Sequence, residues 1–298
     1  MRYRVQHITR YAYGTPVELA AHMVHLRPRP RAWQTVISES ITTDPMPARR
    51  RDGLDHFGNY VTWLFMDMPH ADFEVTSDSV VEVDCPPPPS PDTTAPWEAV
   101  VQAARTGDGW QAVEFQFGTH MAPLDPAAKA YAAKSFTEGR PILEALLDLN
   151  TRFYTEFRFR AGVTTISTPV SQVMARKEGV CQDFSHAMIS GLRGLGVPAR
   201  YTSGYIRTKP PPGQIKRQGA DQSHAWVGCW LGPEHGWVDV DPTNGIIVKD
   251  EHVLLGWGRD FSDVSPVRGV ILGGGDHIVR VAVDLEPVEE LEPGAEPV

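Results

Sequence analysis

Three separated segments carry side chains whose types and order point to covalent chemistry. Cys181 stands in Gly179-Val180-Cys181-Gln182-Asp183-Phe184, His224 in Ser223-His224-Ala225-Trp226, and Asp241 ends Trp237-Val238-Asp239-Val240-Asp241, just before Pro242-Thr243. A thiol, an imidazole and a carboxylate are the set required for nucleophilic acyl transfer. The thiolate attacks, the ring handles the proton, and the acid holds the ring in one tautomer. An attacked carbonyl becomes an oxyanion, for which the Cys181 backbone amide is the first candidate donor and Gln182 the second.

The elements around these residues are those that would expose them. Phe184, Ala187, Met188, Gly191, Leu192 and Leu195 recur at steps of three and four, which predicts a helix opening at Cys181 with one buried stripe. Unpaired amides in the first turn of that helix favour thiolate over thiol. Gly179 is expected to let the backbone turn sharply and come close to a substrate. A lone Cys on an apolar face is ordinarily an inert core thiol, so its partners decide the matter. His224 to Leu231 reads as a buried strand, Gly232-Pro233-Glu234-His235-Gly236 as a turn, and Trp237 to Asp241 as the returning strand of an antiparallel hairpin. A register with His224 directly opposite Asp241 puts His224, Trp226 and Gly228 on one face with Trp237, Asp239 and Asp241. A slip of one residue would separate acid from base.

Asp239 competes for the acid's role, and Asp241 is preferred because Pro242 stops the ladder there and leaves a carboxylate at the strand end. Trp226, Trp230, Trp237 and Trp257 could wall a groove, with Trp226, Trp237 and Asp239 the candidate substrate contacts. Arg259 to Asp263 could form part of its rim or a charged structural loop. His186 reads as a structural histidine and Asp183 as a stabiliser of the helix start. The remaining histidines show no metal-ligand spacing, so no metal is expected.

A chain of 298 residues with 41% hydrophobic composition can bury the cores of two packed units. A net charge of -9 argues against nucleic acid as a partner, and Arg27-Pro28-Arg29-Pro30-Arg31 and Arg49-Arg50-Arg51 read as solvated loops. No run reaches the roughly eighteen apolar residues of a membrane span, and the start lacks the apolar stretch of a leader, so a soluble cytoplasmic protein is expected. Cys85, Cys181 and Cys229 are too irregularly spaced for a disulfide framework and read as free thiols.

The fold class expected is α+β. Residues 1–85 alternate apolar and polar, predicting about six short strands in an antiparallel β-sandwich-like or rolled unit. Four successive prolines from Pro86 mark a boundary, and 86–125 reads as a Pro-rich linker with a short helix. The core is placed at 126–285. It opens with helices, 126–134 and 142–157, and turns to strands at 199–206, 224–231, 237–240, 267–272 and 277–285. Gly273-Gly274-Gly275-Asp276 reads as a hairpin turn between the last two. Residues 286–298 are acidic and Pro-rich, and disorder is expected there.

Gly-Val-Cys-Gln-Asp-Phe, His-Ala-Trp and Asp-Pro-Thr-Asn together resemble the transglutaminase-like superfamily of papain-related thiol enzymes. Trp237, four residues before Asp241, also matches. Residues 1–85 look like the β-rich N-terminal region of bacterial members, and about 130–285 like the core with its following hairpin. The resemblance implies Cys181 as nucleophile, His224 as general base, Asp241 as its orienter, and no cofactor. The expected activity is a thioester acyl-enzyme reaction on a carboxamide or peptide bond of a peptide or protein substrate, with hydrolysis preferred. Protein-glutamine transamidation, or a non-catalytic peptide-binding module, is the alternative.

Overall fold

The structure, a computed structural model, describes residues 1–208, 221 and 223–288. The chain is a mixed α+β protein with an N-terminal antiparallel sheet and a helix-on-sheet core. The first unit contains β1 (Arg2–Val24), β2 (Gln34–Asp44), β3 (Arg49–Leu54), β4 (Tyr60–Met66) and β5 (His70–Val83). Period-two burial at Tyr3, Val5 and His7 shows why the alternation was readable. The strands are fewer and longer than expected, because β1 runs through both halves of the sheet. It pairs with β5 from Arg2 to Ala12 and with β4 from Ala20 to Val24.

The helical part follows as α1 (Trp97–Ala103), α2 (Trp110–Val113), α3 (Pro126–Ala133) and α4 (Ile142–Glu156), then β6 (Arg158–Phe159), α5 (Val170–Arg176) and β7 (Glu178–Gly179). At the start of α3, the Asp125 carboxylate accepts from the Ala127 and Ala128 amides at 2.9 Å, with Pro126 in the first turn. The core is completed by α6 (Cys181–Gly194), β8 (Ala199–Ile206), β9 (Ser223–Trp230), β10 (Trp237–Asp241), β11 (Ile246–Ile247), β12 (His252–Gly258) and α7 (Phe261–Val264). The sheet order is β11-β10-β9-β8-β12. Phe184, Ala187, Met188 and Leu192 of α6 share one apolar cluster with Tyr201, Ala225, Val227 and Val240 of the sheet. Burying each large side chain of such a stripe stabilises by roughly 1.5–3 kcal/mol. Gly191 lets α3 come close, since a Cβ there would stand 2.8 Å from the Ala128 carbonyl oxygen.

Three elements differ from expectation. β12 was not anticipated, being buried almost throughout and interrupted by Gly256, so it shows no alternation. The last two strands, β13 (Val267–Gly273) and β14 (His277–Pro287), do not pair with each other. They run consecutively along β1, opposite Val17–Val24 and Tyr3–Tyr13, and so extend the N-terminal sheet instead of finishing the core. Gly273, Gly274 and Gly275 all have positive φ, at 94°, 87° and 58°. They carry the chain past the irregularity at Gly14-Thr15, whose amides donate to Asp276 and Gly274 carbonyls, where a hairpin turn was expected. Glu286 and Pro287, expected to begin a disordered tail, end β14. Residues 289–298 of that tail lie outside the described residues.

The two units share a core in which Tyr205, Val253 and Leu255 pack with Tyr3, Val5, Leu26 and Phe73. Side-chain amides of the N-terminal unit also serve the outer edge of β12. Gln34 exchanges two 2.8 Å bonds with the Leu254 backbone, and Asn59 bonds the Trp257 carbonyl and amide at 2.7 and 3.0 Å. Strand-like partners of this kind satisfy an edge that would otherwise be open. No helix among the described residues is long and apolar enough to cross a membrane.

Candidate active site

Cys181 is the first residue of α6, and its placement follows from how that helix starts. Asp183, the third residue, accepts from the Val180 amide at 2.8 Å and from the Thr164 hydroxyl at 2.7 Å. Burial raises the Asp183 pKa, and these two bonds work against that rise. The carboxylate therefore fastens the first turn, as the sequence suggested. Gly179 has a different reason from the one expected. It is not left-handed, and a Cβ there would lie 2.7 Å from the Asp183 carboxylate, so the missing side chain makes room for the cap and not for a turn.

His224 comes from the opening of β9 and Asp241 from the end of β10. The His224 Nε2 donates to Asp241 Oδ2 at 2.7 Å, with the ring buried and the acid wholly enclosed. Nδ1 is free of that bond, and Cys181 is among the groups that act on the same ring. Burial opposes a charged imidazole, yet hydrogen bonding to Asp241 and Cys181, together with their charges, outweighs it and raises the His224 pKa from 6.5 to about 10. Burial likewise opposes ionisation of Asp241, and bonds from His224 and His252 override it, holding this carboxyl well below the usual carboxylate range. The Asp241 Oδ1 accepts from the Thr243 and Asn244 amides at 2.9 and 3.2 Å, so the turn begun by Pro242 also orients the acid.

The register differs from the one expected. Asp239 faces Gly228 and Val240 faces Val227, which puts Asp241 across from Trp226 and not from His224. The shift is by two residues, so the pleat keeps acid and base on one face and the contact becomes a diagonal one.

Asp239, Trp226 and Trp237 were expected to meet substrate, and the structure gives them other partners. Asp239 accepts from Arg200 at 3.2 Å and from the Trp226 indole at 3.3 Å. Trp226 is 0% exposed and packs with Leu254 and Val248, which removes it from any groove wall. Trp237 is half-buried beside Phe115 and Arg200, at the far end of β10 from Asp241. Gln182 reaches toward the Ile166 carbonyl oxygen at 3.5 Å. His186 is buried, its Nε2 accepts from the Phe261 amide at 3.2 Å, and burial lowers its pKa to about 4. A pocket of about 340 Å³ lies between His186, Met121, Pro123 and the 166–170 segment, and His186 stands five residues after Cys181 on α6.

His252 was not singled out from the sequence. Its Nε2 donates to Asp241 Oδ2 at 3.3 Å, and Asn244 Nδ2 donates to the same oxygen at 2.6 Å. No spacing rule links residues 241 and 252 across the connection into β12, so only the sheet brings them together. His224, Asp241 and His252 present ligand atoms within 4.8 Å of one another, and among the described residues they are the group that could hold a metal ion. The hydrogen bonds converging on Asp241 account for the same arrangement. All three cysteines are free.

Helix-borne thiol, strand-borne imidazole and strand-end acid on an α+β core define a thiol-enzyme fold. Residues 3–82 match the bacterial transglutaminase-like N-terminal region, and 129–242 match the transglutaminase-like superfamily. The chain belongs to that superfamily. An uncharacterized protein of Mycobacterium tuberculosis is 40% identical over 295 residues, covering 97% of this chain and 93% of its own. One from Mycobacterium leprae is 30% identical over 290 residues, 97% of this chain and 98% of its own. A local match, 40% identical over 100 residues, joins 31% of this chain to 15% of a protein-glutamine gamma-glutamyltransferase of Pseudomonas aeruginosa. The crystal structure of a candidate cysteine protease from Cytophaga hutchinsonii superposes with a TM-score of 0.72 at 18% identity, over 97% of this chain and 92% of that one, which shows a common fold.

Proposed function

We propose that the protein is a thiol acyl-transfer enzyme in which Cys181 is the nucleophile, His224 the proton carrier and Asp241 its orienter, acting on a carboxamide or peptide bond. The observation that carries this reading is the single buried ring that bonds Asp241 at 2.7 Å and interacts with Cys181. A ring with its pKa raised to about 10 is protonated at neutral pH, so the imidazolium holds the proton that a leaving amine needs. Sulfur attacks the carbonyl carbon, and the Cys181 amide donates to the developing oxyanion. His224 then gives its proton to the leaving amine as the thioester forms. In the second half the neutral ring takes a proton from water, or from an acceptor amine, as that atom displaces sulfur.

Hydrolysis is the reading we favour for the second half, with an apolar substrate side chain seated in the 340 Å³ pocket of Met121, Pro123 and Ile166. The local similarity to a gamma-glutamyltransferase supports transamidation as the second reading. Incubation with a glutamine-containing peptide and a labelled primary amine separates them. Ammonia or a cleaved peptide without amine incorporation supports hydrolysis, and incorporation supports transamidation. Failure of iodoacetamide to modify Cys181 faster than Cys85 at neutral pH would reject the enzyme reading altogether.

A further inference from the structure

Of Arg27-Pro28-Arg29-Pro30-Arg31, expected to be a solvated loop, Arg29 and Arg31 instead enter the contact between the two units, while Arg27 pairs with Glu39. The Arg29 guanidinium lies 3.4 Å from the Trp257 ring centre, Arg200 lies 4.1 Å from it, and Arg31 4.8 Å. Arg200 is 2% exposed and is also 4.4 Å from Trp237. Three cations thus crowd one indole, and a pocket of about 500 Å³ opens over them, lined by Arg29, Arg31, Arg200, Trp110, Trp237 and Trp257.

Among the described residues Arg200 has a carboxylate within ion-pair distance, and Arg29 and Arg31 have none. Asp239 pairs with Arg200 at 3.2 Å, Glu114 at the rim bonds His56 at 3.0 Å, and Asp55 is engaged by the Asn59 side chain and by the Phe57 and Asn59 amides. Arg29 donates to the Phe57 carbonyl and to Asn59, which are neutral. Among the described residues, buried Arg200 Nε and Arg31 Nη1 have no hydrogen-bond partner. Burial lowers the Arg200 pKa to about 10, with Arg31 and Arg29 adding to the fall and Asp239 opposing it, as expected for like charges held together. Aromatic faces offset part of that repulsion, and an anion would offset more. Trp110, 68% exposed on the rim, supplies a flat apolar surface with no evident structural task.

We propose that this pocket is a binding site for a small organic anion, whose carboxylate or phosphate oxygens are held by Arg31 over Arg29 and Arg200 and whose flat apolar body lies against Trp110 and Trp237. The site is separate from Cys181, since Trp237 and Asp241 are four residues and about 13 Å apart along β10. Its walls come from both units, so an occupant would tie them together.

The test uses the full chain with phenyl phosphate, benzoate and uncharged benzamide at fixed ionic strength, followed by calorimetry and thermal unfolding. Saturable one-to-one binding of either anion, with a raised Tm and none of this for benzamide, is expected. The anion preferred identifies the head group. Arg31→Gln should weaken binding by about tenfold or more, the worth of one charge-assisted hydrogen bond. Trp110→Ala should weaken it several-fold, and both variants should keep the wild-type Tm without ligand and the wild-type rate of Cys181 alkylation. No saturable binding of any probe, equal binding of benzamide, or undiminished binding by both variants would overturn the proposal.

Discussion

The two ends of β10 handle charge in opposite ways. At the Asp241 end a single enclosed carboxylate gathers donors from His224, His252 and Asn244 on one oxygen and two backbone amides on the other. At the Trp237 end Asp239 faces Arg200, with two further guanidinium groups behind it. A surplus of donors fixes an acid in its ionised form and passes that influence to a ring. Guanidinium groups without an ion-pair partner hold a shape open for something negative. Two aspartates two residues apart on one face therefore have different work, and their sequence neighbours alone would not say so.

Substitutions at the two ends should separate these roles, with the largest effect at the thiol. Cys181→Ala should abolish turnover and leave the circular dichroism spectrum unchanged. Asp241→Asn should lower kcat by about 10³–10⁴-fold through loss of the oriented, ionisable ring, while Asp239→Asn should change kcat less than about tenfold. Stability should show the reverse emphasis. Asp239→Asn leaves Arg200 buried without its carboxylate and should cost about 3–5 kcal/mol in urea unfolding. If Asp239→Asn proves as inactive as Asp241→Asn while remaining folded, the division between the two ends fails.

Smaller effects probe the brace on the acid. His252→Phe removes one donor from Asp241 and should reduce kcat by a few-fold to about tenfold, the worth of roughly 1 kcal/mol, with the acidic limb of the pH profile displaced and KM little changed. A drop in stability with an unmoved pH profile would make His252 structural only. The pH dependence of unfolding probes the ring itself. The His224 pKa is raised from 6.5 to about 10 on folding, so between those values the native state holds a proton that the unfolded chain has lost. The contribution is complete below about pH 6.5 and fades as pH rises toward 10. Wild type should therefore lose more Tm across that window than His224→Gln does.

Much of the site could be read from local pattern. Phe184, Ala187, Met188 and Leu192 announce α6 because one helical face must be buried, and that places Cys181 at its start. Pro242 has no amide to donate to a ladder, which marks Asp241 over Asp239 as the carboxylate at the strand end. Gly179 was misread because its neighbour in space, the Asp183 carboxylate, is invisible to a turn rule. Trp226 was misread because an indole that hydrogen-bonds a buried acid has the same composition as one that walls a groove.

What the sequence by itself determined was every feature whose cause repeats within a few residues: the period of α6, the alternation along β1, the cap at Asp183 and the strand ends. What only the tertiary structure decided was which distant segments share a sheet. β13 and β14 lie along β1 instead of closing the core, β12 delivers His252 to Asp241, and Arg29 and Arg31 of an apparent loop stack on Trp257. Backbone pairing and charge neutralisation act between residues that are close in space, and the hydrophobic period that writes itself into a sequence carries no information about which partner fills the next place.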